Sequence, residues 1–120
     1  MSVRAIRGAI QVEANTVEAI HAGVQELLSA ILLANELKAS DVISVIFTAT
    51  PDLNADFPAA AARDIGFGAV PLICASEINV PGALLGVIRV MLHCNTKAKA
   101  DEISHIYLKG AVALRRDLAQ

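Results

Sequence analysis

Hydrophobic and small or polar residues alternate over residues 3–12, Val-Arg-Ala-Ile-Arg-Gly-Ala-Ile-Gln-Val. Ile6, Ile10 and Val12 fall on one face and Val3, Ala5, Arg7 and Ala9 on the other, the period-two pattern of a strand. The period then lengthens. Ile20, Val24, Leu27, Leu28 and Ile31 recur at helical spacing up to about Asn35, and Asn15 followed by Glu18 resembles a capping box at the start. Residues 42–50 are rich in β-branched side chains and end at Pro51, so they predict a second strand. Residues 52–58 read as a loop, with Pro58 suited to a first helical position. A short alanine-rich helix over 59–65 carries Arg63 and ends near Gly66. Residues 70–75, 87–94 and 103–108 predict three more strands, and the turn-rich segment 79–86 contains Pro81 and Gly82.

This order predicts an α+β fold, a single mixed β-sheet with one long helix packed on one face. Residues 1–120 form a single domain, since a chain of 120 residues is far below the roughly 250 at which chains divide. Hydrophobic residues make up 55% and charged residues 18%, which excludes intrinsic disorder. So apolar a chain of this size cannot hide its surface in one monomer, and the uncovered sheet face predicts an oligomer. A net charge of -2 and a pI near 5.8 argue against nucleic acid as a partner. No uncharged apolar run reaches the ~20 residues of a membrane span. The first residues lack an apolar signal core, which predicts a cytoplasmic protein.

Charge is sparse where it is most informative. Between Asp64 and Lys97 only Glu77 and Arg89 are charged. Arg7, Arg63 and Arg89 each stand among apolar or small neighbours, and Arg115 and Arg116 form a pair near the C-terminus. The bland alternative for Arg89 is a salt bridge to Glu77 or Asp64, or an edge-strand arginine reaching solvent. As a set, however, the arginines outnumber acids in these elements, and their planar forks suit carboxylates or phosphates. The pattern predicts a buried pocket for a small polyanion, with Glu77 accepting from a ligand hydroxyl. Cys74 and Cys94 read as reduced core thiols. Neither a nucleophile–base pair, nor metal-ligand spacing, nor a phosphate loop is recognisable. The pocket therefore either only binds its anion or serves a reaction needing no acid, base or nucleophile.

Several blocks of the chain resemble the monofunctional chorismate mutases of the Bacillus type. They are Val3-Arg4-Ala5-Ile6-Arg7-Gly8-Ala9, Phe47-Thr48-Ala49-Thr50-Pro51-Asp52-Leu53, Phe57-Pro58-Ala59 with Ala62-Arg63, and Val70-Pro71-Leu72 with Cys74 and Glu77. Val87-Ile88-Arg89-Val90-Met91, His105-Ile106-Tyr107-Leu108 and Leu114-Arg115-Arg116-Asp117-Leu118 complete the likeness, which runs in order along nearly the whole chain. The resemblance implies a pseudo-α/β-barrel homotrimer with clefts between subunits. It also implies a cofactor-free, metal-free Claisen rearrangement of chorismate to prephenate. By resemblance Arg89 would contact the breaking ether oxygen, and Glu77 would accept from the ring hydroxyl with the Cys74 thiol close by. Arg7 and Tyr107 would hold the enolpyruvyl carboxylate. Phe57 and Arg63 of a neighbour would wall the cleft, with Ile73 and Leu114 beside the substrate and Arg115 closing it.

The chain departs from the family where Ala60 replaces a common lysine, Ile73 a position that can be polar, and Arg116 a usual proline. The loop around Gly66 is also a residue shorter. Arg116 is expected to take over part of the missing lysine's charge. Two other classes stay open: a trimeric imine or enamine deaminase, of similar size and architecture with a lone carboxylate-binding arginine but with its own signatures not evident here, and a non-catalytic anion-binding oligomer.

Overall fold

The computed structural model describes residues 1–117, with backbone alone for 115–117. Five strands, β1 (Ser2–Gln11), β2 (Val42–Ala49), β3 (Leu72–Ser76), β4 (Val87–Thr96) and β5 (Ile106–Leu108), form one sheet in the order β3-β2-β4-β1-β5. β4 lies at the centre and pairs antiparallel with both β1 and β2, while β3 joins β2 and β5 joins β1 in parallel. The mixed sheet with one long helix on one face is thus as the periodicities predict.

That helix, α1 (Val17–Ala34), buries Ile20, Val24, Leu27, Leu28 and Ile31 against Ile6, Ile10, Val45, Phe47, Ile88 and Leu92 of the sheet. By length and composition alone α1 could cross a membrane, but this apolar face is taken up by the sheet. Sheet and helix approach closely at Gly8, where a Cβ would stand 2.8 Å from Ile31 Cδ1. A second short helix, α2 (Pro58–Ala62), starts at Pro58 and packs Ala59, Ala61 and Ala62 into the same core.

Four local expectations change. The cap of α1 is Thr16, whose hydroxyl accepts from the Ala19 amide, because Asn15 is engaged elsewhere. Asn15 Oδ1 accepts from the amides of Asn54 and Ala55 and so ties the loop 52–57 to the start of α1. The helix predicted over 59–65 stops at Ala62, and the chain continues through a wide turn, Arg63–Phe67, in which Gly66 takes φ 98°. The third strand begins at Leu72, beyond Pro71. The fifth is confined to Ile106–Leu108, since Ser104 exchanges hydrogen bonds with the Asn35 side chain instead of a strand.

Candidate active site

Strand alternation sends Val45, Phe47, Ile88, Val90 and Leu92 into the core and leaves Ile46, Thr48, Arg89 and Met91 on the opposite face. Register then sorts this open face into rows. Thr48 pairs with Arg89, Arg89 with Ala9, and Ala9 with Tyr107, while Ile46, Met91 and Arg7 form the next row. Arg89 and Tyr107, on either side of Ala9 in the register, both line a trough in this face, while Ala9 itself is buried against Val87 and Ala111. Glu77 follows β3, and its amide donates to Ala49 O at 2.9 Å, which extends the ladder and brings the carboxylate to Thr48.

Arg7, Thr48, Glu77, Arg89, Met91 and Tyr107 line a cavity of about 220 Å³ on this face. The Thr48 hydroxyl donates to Glu77 Oε2 at 2.5 Å, and Arg89 Nε lies 3.7 Å from the same oxygen. The ion pair to Glu77 therefore exists, and it sits inside the cavity rather than replacing it. Nor is the pocket buried within one chain, because the Arg89 side chain is 47% exposed and Arg7 is also exposed. The Arg7 amide donates to His105 Nδ1 at 2.9 Å, linking β1 to the entry of β5.

The remaining sequence-predicted residues lie elsewhere on the single chain. Cys74 pairs in register with Phe47 and packs partly against the core. With Phe57 it lines a second groove of about 550 Å³ at the ends of β2 and β3. Phe57 is 71% exposed and Arg63 is exposed at the end of α2. Ile73 is 62% exposed beside Ile46 on the open face. Leu114 packs against Ala9, Val87 and Ala111, and the side chains of Arg115 and Arg116 lie outside the described residues.

The loop carrying Phe57 is held at Asp56, whose Oδ2 is 2.7 Å from His21 Nε2 and whose Oδ1 accepts from the Phe57 amide at 2.7 Å. The hydrogen bond from His21, and next the Phe57 amide, keep the Asp56 carboxyl below its ordinary pKa. Cys94 is a buried free thiol whose pKa is raised, first by burial and then by Asp41.

Sequence reasoning missed Thr48. The signal for Thr48 lay in the alternation of β2, which sets it on the face opposite Phe47. Its partner could be found only through register. Chemically the cavity offers two guanidinium groups, a phenol and one carboxylate, a set suited to an anion bearing a hydroxyl.

The family described as Chorismate mutase type I matches residues 3–118. The chain is 51% identical over 117 residues to Chorismate mutase AroH of Thermus thermophilus, covering 97% of this chain and 96% of that protein. Against Chorismate mutase AroH of Bacillus subtilis (strain 168) the identity is 43% over 120 residues, with 99% and 94% covered. Among solved structures, a chorismate mutase from Clostridium thermocellum superposes with a TM-score of 0.89 at 49% identity, covering 91% of this chain and 97% of that one.

Proposed function

Because the chain belongs to the type I chorismate mutase family, we propose that chorismate binds in the cavity between Arg7, Glu77, Arg89 and Tyr107, closed by a neighbouring subunit. The activity is isomerisation of chorismate to prephenate in aromatic amino-acid biosynthesis. The deaminase and non-catalytic readings gain no support from these likenesses.

The observation that carries the assignment is the placement of Arg89 and Glu77 side by side on the open face, with Arg7 and Tyr107 across the trough. In the rearrangement one C–O bond breaks as one C–C bond forms within a single molecule. No proton, nucleophile or redox partner takes part. Negative charge gathers on the ether oxygen, and Arg89 is the donor for it. Glu77 accepts from the ring hydroxyl, while Arg7 and Tyr107 hold the carboxylate of the enolpyruvyl arm.

A millionfold acceleration corresponds to about 8 kcal/mol. One preorganised donor toward developing charge supplies roughly 3–4 kcal/mol. The rest comes from holding the flexible arm over the ring in its reactive conformer, which is the work of Arg7 and Tyr107.

Phe57 and Cys74 line the second groove and Arg63 is exposed at the end of α2, none of them in the cavity that holds Arg89 on the same chain. A homotrimer of pseudo-barrel form would let Phe57 and Arg63 of one subunit wall the cavity of the next. It would also cover the exposed Ile46, Ile73 and Met91 of the open face. Leu114 and Arg115 would close the cleft from the C-terminal side.

The test is to add micromolar purified protein to chorismate and follow loss of its ultraviolet absorbance, confirming product by acid conversion to phenylpyruvate. Catalysed loss with a trimeric mass in solution is expected. A stable monomer with full activity would overturn the shared cleft.

A further inference from the structure

We infer that His105 is a positioning residue for substrate binding, its imidazole supplying the acceptor that fixes β5, and with it Tyr107, against the Arg7 end of the cavity. This deepens the site assignment above and rests on the reading that Arg7 and Tyr107 hold a substrate carboxylate.

β5 is an edge strand whose pairing with β1 consists of Gly8 with Ile106, Ala9 with Tyr107 and Ile10 with Leu108. So short a ladder is weakly held by backbone bonds alone. One step before it, at the level where Arg7 would face residue 105, the bond is made by a side chain. The Arg7 amide donates to His105 Nδ1 at 2.9 Å. An amide can only donate, so Nδ1 must present its lone pair, and the neutral ring carries its hydrogen on Nε2.

The residue before is latched as well. Asn35, at the end of α1, accepts from the Ser104 amide at 2.8 Å and donates to the Ser104 carbonyl at 2.9 Å. Asn35 therefore brings the incoming chain to the sheet edge, and His105 sets its register there. Residues 105 and 107 are two apart on an extended chain, so the orientation of one carries to the other. This bond adds to the short ladder in joining the peptide bearing Arg7 to the segment bearing Tyr107. Both side chains line the cavity.

If His105 acts as an acceptor, the replacement matters in a specific way. Asparagine places its Oδ1 where Nδ1 stands, whereas glutamine reaches to where Nε2 stands. A role in general stability, or a contact of the ring with substrate, would not follow that distinction.

The experiment compares chorismate turnover by the wild-type oligomer and by His105→Ala, His105→Gln, His105→Asn and Tyr107→Phe. It also measures the exchange protection of the Arg7 amide by NMR. Loss of one hydrogen bond to the carboxylate clamp predicts a KM raised about fivefold in His105→Ala and His105→Gln, with kcat within about twofold. Protection of the Arg7 amide falls with it. His105→Asn keeps both KM and protection near wild type. If His105→Asn is as impaired as His105→Gln, or if KM rises while the Arg7 amide stays protected, the proposal is overturned. The Asn and Gln variants decide the matter even where His105→Ala does not fold. Tyr107→Phe tests the underlying reading separately. Unchanged kinetics there would remove the role of Tyr107, whereas a raised KM with normal His105→Gln kinetics would remove that of His105 alone.

Discussion

Thr48 and Arg89 stand directly opposite each other on β2 and β4, and both reach the same oxygen of Glu77, the hydroxyl at 2.5 Å and the guanidinium Nε at 3.7 Å. The carboxylate is therefore held from two neighbouring strands, though it belongs to the loop after a third. On the proposed reading, its position defines where a ligand hydroxyl sits relative to the arginine.

Arg89→Ala is expected to lose turnover most severely, by about 100- to 1000-fold in kcat, as for removal of one donor aimed at developing negative charge. Arg89→Lys also suffers, because an ammonium on a shorter stem cannot reproduce the fork. Steady-state kinetics on the purified variants check this, and near-normal kcat in Arg89→Ala would remove Arg89 from the reaction.

Thr48→Val leaves shape nearly unchanged and deletes the donor to Glu77. A lost hydrogen bond to a charged group predicts a drop in kcat/KM of roughly tenfold, with Thr48→Ser close to wild type. Equal activity in all three proteins would mean that Glu77 is positioned by Arg89 alone.

The strands and the long helix were legible because burial imposes the periods of Ile6 and Ile10 or of Ile20, Val24 and Leu27 on the sequence. Arg7, Glu77 and Arg89 were legible for the converse reason, as charges within apolar stretches. Register was not legible. Nothing in the order of residues says that β4 pairs with β1 and β2 rather than with β3, so Thr48 stayed hidden. The cap of α1 misled because Asn15 and Thr16 both suit that position, and long-range bonds of Asn15 to the loop decided between them.

If the cleft is shared, Arg63→Ala and Arg89→Ala proteins should rescue each other when mixed and reassembled. In a ring of three, every mixed trimer has one site built from two intact contributors, so random equal mixing restores about a quarter of wild-type activity. Absence of any recovery after verified subunit exchange would place Arg63 outside the site.

Acid should loosen the loop that presents Phe57. Folding holds the Asp56 carboxyl below its ordinary value of 3.8. The stabilisation is thus complete above that value and is lost as pH falls through the lower, folded one. Wild type should exceed Asp56→Asn in stability at neutral pH, with the gap closing below about pH 4. Urea midpoints at several pH values check this. A gap that stays constant would mean that His21 and Asp56 contribute nothing through charge.

Gly8→Ala probes the contact between sheet and helix. Its Cβ would stand 2.8 Å from Ile31 Cδ1, and overpacking of that kind costs about 1–3 kcal/mol. Thermal unfolding should show a lowered Tm, recovered in part by Ile31→Val, which removes the clashing methyl.

The central place of β4 bears on how the protein is made. β1 and β2 emerge first from the ribosome, yet neither is the other's neighbour; β2 can pair early only with β3, and β1 must wait for residues 87–96 before it can join the sheet. Local bonding can form α1 early, but the sheet depends on contacts far apart in sequence, which makes its assembly late and concerted. Arg7 is synthesised near the beginning and Tyr107 near the end, so the face that carries both is complete only once β5 has been made. On the proposed reading, chorismate finds its full set of contacts only in chains made through Tyr107.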